Sequence, residues 1–92
     1  MRDRIKDIVF QALKELNAEL EINIFDELSE NTAIYENLES INLLDLIVEI
    51  EDLLQKEFGK YIQIADENSM NVEQTIFKTI ASTIDGILEK VS

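Results

Sequence analysis

Residues Glu39–Leu54 read ESINLLDLIVEIEDLL. Ile41, Leu43, Leu44, Leu46, Ile47, Val48, Ile50, Leu53 and Leu54 recur on more than half the circumference of a helix running from Ser40 to about Lys56, with Asp45, Glu49, Glu51 and Asp52 between them. A helix this broadly apolar is either central to its fold or offers apolar surface to something else. Gly59 stands where a helix commonly stops. Ser40, at the head of the run, reads by itself as an N-cap whose hydroxyl accepts from an early backbone N–H, worth about 1 kcal/mol.

Upstream, Ile5, Ile8, Val9, Ala12, Leu13, Leu16 and Leu20 keep the i, i+3, i+4 spacing of a helix with one buried stripe, predicted over residues 2–19. Residues 20–38 lose that period and read as a long loop pinned by Ile24, Phe25, Leu28 and Ile34. Downstream, Ile62 and Ile64 alternate, and the expectation is an extended turn leading into a short helix near residues 65–69. Asn71 with Gln74 three residues on resembles a capping box and predicts a last helix over about 72–90, carrying Ile76, Phe77, Ile80, Ala81, Ile84, Ile87, Leu88 and Val91 inward. The expected fold is all-α: a small four-helix bundle with three main helices, a short third helix and a long loop between helices 1 and 2. Ninety-two residues allow one domain, 1–92.

Twenty acidic against eight basic residues give a net charge of −12, and 46% apolar composition is enough to fold. From Glu15 to Gln55 the chain has twelve acids and no lysine or arginine. That sign of charge argues against binding to nucleic acid through phosphate neutralisation and against docking on anionic membranes, and suits a basic protein partner. Charges interrupt the first residues too often for a signal peptide, and no apolar run approaches a membrane span. The expectation is a cytoplasmic monomer with no membrane insertion.

Histidine and cysteine are both absent, which removes the serine-histidine-acid triad, thiolate catalysis, disulfides and zinc-thiolate sites. A calcium loop counted from Asp66 would need glycine where Asn71 stands and glutamate where Phe77 stands. No metal site is expected, and for want of a nucleophile and base the chain does not read as an enzyme.

Against that background ESINLLDLIVEIEDLL resembles the modification site of the acyl carrier protein family, in which an aspartate-serine-leucine triplet opens the second helix. Here the triplet is Glu39-Ser40-Ile41. The resemblance extends over most of the chain, through the order of an amphipathic first helix, a long loop, a serine-headed acidic second helix and a last helix entered through Met70-Asn71-Val72. Asn37-Leu38 occupies the region of the family's usual glycine, and Asn42 stands where a polar or acidic residue follows the serine. With those departures the resemblance is to a divergent or specialised member.

The resemblance implies that Ser40 receives 4'-phosphopantetheine covalently from coenzyme A, through a phosphopantetheinyl transferase, and then carries acyl intermediates as thioesters in fatty acid, polyketide or a dedicated acyl pathway. It implies that Ile41, Leu44 and Val48 face partner enzymes with basic surfaces, that Asp45, Glu51 and Asp52 are recognition acids, and that Glu39 and Glu49 add charge there. Leu46, Ile47, Ile50 and Leu54 are the core candidates of the same helix, and with Ile62 and Ile64 would shelter an acyl chain. Two alternatives stay open: a peptidyl or aminoacyl carrier, and an acidic helical adaptor that binds a basic protein and carries nothing.

Overall fold

The computed structural model describes residues 1–23, 25–65, 71 and 73–91. Three α-helices dominate them: α1, Arg2–Glu19; α2, Ser40–Phe58; and α3, Ile80–Val91. Short 3₁₀ turns at Tyr35–Asn37 and Ile76–Lys78 punctuate the connections. The described residues contain no strand, only an isolated antiparallel bridge between Ala33 and Thr79.

The stripe expected on α1 is buried: Ile5, Ile8, Val9, Ala12, Leu13 and Leu16 all face the core. The helix closes with Ile22 N–H bonding Asn17 O at 3.1 Å and Glu21 N–H reaching Ala18 O at 3.3 Å. This is the six-to-one and five-to-two pattern that normally takes glycine at the left-handed position. Glu21 holds that position at φ 54°, a conformation an L-residue resists. Helix α2 ends the commoner way, on Gly59 at φ 72°.

The long connection from α1 to α2 is held by particular contacts rather than by a ladder. Asn17, on α1, accepts from Phe25 N–H at 3.2 Å and donates to Asp26 at 2.6 Å, which turns the chain so that Phe25 is fully buried. Ile34 is also fully buried and Leu28 half so, as the loop reading expected; Ile24 lies outside the described residues. Arg2 bridges this loop to α3, pairing with Glu30 at 2.5 Å and with Asp85 at 3.4 Å.

The last helix starts eight residues later than the sequence predicted. Asn71 caps only a turn, its side chain accepting from Glu73 N–H and its carbonyl from Gln74 and Thr75 N–H. Thr75 Oγ1 then accepts from Phe77 N–H to start the 3₁₀ turn, and Thr79 is extended at φ −132°, ψ 169°. At Thr79 the true cap forms, because Thr79 Oγ1 accepts from Ser82 N–H at 3.1 Å while Ser82 Oγ accepts from Thr79 N–H at 3.0 Å. The reciprocal pair is a capping box with serine in the glutamate's place. Two further amides of the first turn are capped from across the molecule: Ile80 N–H by Thr32 O at 3.0 Å and Ala81 N–H by Glu30 O at 2.9 Å. These satisfy the donors a helix start leaves open, so the loop and α3 form one unit. At Gly86 a Cβ would come within 2.7 Å of Ile76 Cγ2, so a larger residue there would push the 3₁₀ turn off α3.

The short helix expected near 65–69 lies outside the described residues, apart from Ala65. The architecture is all-α, with three α-helices among the described residues around one core cluster that includes Phe25, Ile34, Ile62, Ile64 and Phe77.

Candidate functional site

Helix α2 starts one residue earlier than a serine cap would require. Glu39 is the N-cap, extended at φ −74°, ψ 160°, and its carbonyl takes the first helical bond, from Leu43 N–H at 2.9 Å. Ser40 is therefore the first helical residue and not the cap, and the Glu39 side chain makes no capping bond. Its side chain is exposed, and its hydroxyl has no hydrogen-bond partner among the described residues. A serine hydroxyl thus stands open at the positive end of a 19-residue helix whose cap residue makes no side-chain bond, an arrangement that favours an anion there.

Behind Ser40 the apolar residues of α2 divide into two sets. Leu46, Ile47, Ile50 and Leu54 are buried, with Leu43. Ile41, Leu44 and Val48 are 66%, 51% and 65% exposed. Their spacing of three and four residues aligns them as one outward stripe. Three large apolar side chains in a row thus form an outward-facing patch rather than part of the core.

The acids around this stripe are not equivalent. Asp45 is exposed, as is Glu39. Asp52 is exposed and pairs with Lys56 one turn on at 3.1 Å. Glu49 instead turns toward α1, where Glu15, Glu19, Asp45 and Glu49 line a small cleft of about 30 Å³ with Ala12, Leu16 and Leu46. Its carboxyl is pushed up to about 7, first by a hydrogen bond with Glu15, then by partial burial and by the charges of Glu15, Asp52 and Glu19. Glu51 is half-buried and turns to the segment after α2: its Oε2 accepts from Ile64 N–H at 2.9 Å and from Ala65 N–H at 3.4 Å, and its Oε1 lies 3.4 Å from the Tyr61 hydroxyl. Periodicity on α2 gave no hint of that contact, since the partners lie 10 to 14 residues away. The alternation of exposed Tyr61 and Gln63 with buried Ile62 and Ile64 was the available sign that this segment runs extended along the core.

The raised carboxyl at Glu49 makes a prediction with a definite sign. Its folded-state value lies above the ordinary 4.5, so the stability linked to its proton is complete below about pH 4.5 and is lost as pH rises to about 7. Glu30, held low by Arg2, acts in the opposite sense. Comparing wild type with Glu49→Gln isolates the first effect: thermal melts should coincide near pH 4.5, and the variant should be the more stable at pH 8, by roughly 1 kcal/mol after solvent screening. Equal stability at both pH values would mean that the carboxylates of α1 and α2 do not repel across the cleft.

Two larger grooves do not include Ser40 in their lining. One of about 500 Å³ runs along α1 past Phe10 and Lys14, and another of about 380 Å³ lies between Tyr35 and Lys78. No helix among the described residues is long and apolar enough to cross a membrane, and no group of three or more acidic side chains among them is arranged to hold a metal ion. Comparison with family models, curated proteins and solved structures gave no match to this chain.

Proposed function

We propose that the protein is a non-enzymatic carrier, similar to the acyl carrier proteins, whose Ser40 is the attachment point of a 4'-phosphopantetheine arm. The observation that carries the proposal is the state of Ser40: an exposed hydroxyl, without a partner among the described residues, on the first turn of a helix whose cap residue makes no side-chain bond. A structural cap would have spent that oxygen on the backbone. The group fits there, because its phosphodiester would lie at the helix N-terminus among open N–H donors. Bound, it supplies the thiol that a cysteine-free chain lacks and on which an acyl group is held as a thioester. The chain's own part is to present Ser40 Oγ, which displaces adenosine 3',5'-bisphosphate from coenzyme A to form a new O–P bond while a separate transferase takes the serine proton.

Ile41, Leu44 and Val48 are the proposed contact with partner enzymes, and Asp45 and Asp52, with Glu39, are the exposed charges that steer a basic surface onto them. Converting Asp45 and Asp52 to lysine should slow modification at low salt and leave the helical spectrum intact. Unchanged rates would move the recognition surface elsewhere. The direct test is incubation of the wild-type chain with coenzyme A and several phosphopantetheinyl transferases, read by intact mass and peptide mapping. A mass gain on the Ser40 peptide supports the carrier; failure with every transferase, the host's own included, leaves the acidic adaptor that binds a basic protein and carries nothing.

A further inference from the structure

The exposed acids of α2 and the inward-turned Glu51 lie on one helix, and Glu51 occupies a position where two claims on a carboxylate compete. The segment Tyr61–Ala65 follows α2 with neither helix nor strand structure and has no strand partner among the described residues. Ile62 and Ile64 fix it from one side by burial, at 6% and 1% exposure. Among the described residues one side chain accepts from its amides: Glu51, which bonds Ile64 and Ala65 N–H and lies within reach of the Tyr61 hydroxyl. A carboxylate accepting backbone N–H bonds forms charge-assisted bonds, about twice the strength of neutral ones. Glu51 is nevertheless only half-buried, so an incoming guanidinium can reach it.

We infer that Glu51 is a releasable latch: a partner's arginine docking on α2 takes this carboxylate from the Ile64 and Ala65 amides and loosens the 61–65 strap from the core. Arginine is the fitting cation, since its planar fork matches both oxygens of a carboxylate and replaces in one group the two donors that the carboxylate gives up. The surrounding field supplies the attraction, with Asp45 and Asp52 exposed on the same helix and no basic residue from Glu15 to Gln55. Because both states compete for one side chain, the coupling is reciprocal: docking loosens the strap, and a loosened strap strengthens docking. In the carrier reading, on which this regulation rests, loosening opens the core cluster containing Ile62, Ile64, Ile50 and Leu54 at the moment a partner is engaged.

The test uses the full chain, an oligoarginine peptide as probe, and amide hydrogen exchange read residue by residue. In wild type, saturating peptide should speed exchange at Ile64 and Ala65 by about tenfold, the worth of a charge-assisted bond, while exchange at Leu46 and Ile50 stays unchanged. Glu51→Gln should show fast exchange at Ile64 and Ala65 without peptide and no further response to it. Asp45→Asn should keep the wild-type response, with weaker binding. Binding without any change at Ile64 and Ala65 overturns the latch and leaves the docking face standing. Absence of binding in wild type overturns both the latch and the basic-partner surface, whereas loading of Ser40 by a transferase would survive either result.

Discussion

Ser40→Ala is expected to abolish phosphopantetheine loading completely while leaving the melting curve within about 0.5 kcal/mol of wild type. Had Ser40 been the cap of α2, the same change would cost about 0.5–2 kcal/mol. The structure removes that cost, because Glu39 is the cap residue and the Ser40 hydroxyl makes no hydrogen bond among the described residues. Ser82 supplies the opposite control. Its Oγ accepts from Thr79 N–H and lies 2.6 Å from Ile76 O, closing the start of α3. Ser82→Ala should therefore lose stability, on the order of 1 kcal/mol, and load as wild type does; Ser29→Ala and Ser69→Ala should also load normally. Urea denaturation together with intact mass separates the two serines cleanly: one carries stability without cargo, the other cargo without stability. A loaded Ser40→Ala protein would end the carrier proposal, and a markedly destabilised one would show that the hydroxyl is spent on the fold.

The largest loss of stability should follow Phe77→Ala, by about 3–5 kcal/mol. Small domains have only about 5–15 kcal/mol to lose, so the midpoint should fall by at least about 12 °C. Phe77 is fully buried in the 3₁₀ turn between Thr75 and Thr79, and its amide is held by Thr75 Oγ1 at 3.1 Å. That turn cannot easily collapse into the vacated volume, because Ile34 N–H bonds Lys78 O at 2.9 Å on one side and Ile76 packs on Gly86 on the other. Phe58→Ala makes the contrast. Its ring is half-buried, with the Arg4 guanidinium 5.2 Å from its centre, and much of its surface already meets solvent. Equal losses in the two variants would mean that the segment around Phe77 is not packed into the core as described.

Much of the fold was legible because its causes are local. The stripe from Ile5 to Leu16 repeats at helical spacing, and α1 spans Arg2–Glu19 as that spacing implies. Leu46, Ile47, Ile50 and Leu54 are buried as expected, and Gly59 stops α2 because a left-handed residue is cheapest without a Cβ. The start of α3 was not legible in the same way. Asn71 and Thr79 both offer capping oxygens, and periodicity through Ile76 and Phe77 favoured the earlier one. Only the folded chain brings Glu30 and Thr32 carbonyls to Ile80 and Ala81 N–H, which fixes the helix start at Thr79.

For the candidate site, the amino-acid sequence by itself determined the acidic field, the absence of histidine and cysteine, and a serine at the head of a broadly apolar helix. Its period could not say which apolar face would turn outward, since α2 carries leucine, isoleucine or valine on both sides. The tertiary structure decided that, leaving Ile41, Leu44 and Val48 in solvent because α1 and the core cover the opposite face. It also gave two similar glutamates different environments: Glu49 meets Glu15 across a cleft, and Glu51 meets the Ile64 and Ala65 amides. A side chain's charge is written in its residue type, but its partner depends on chain segments far away in sequence, and those come together only on folding.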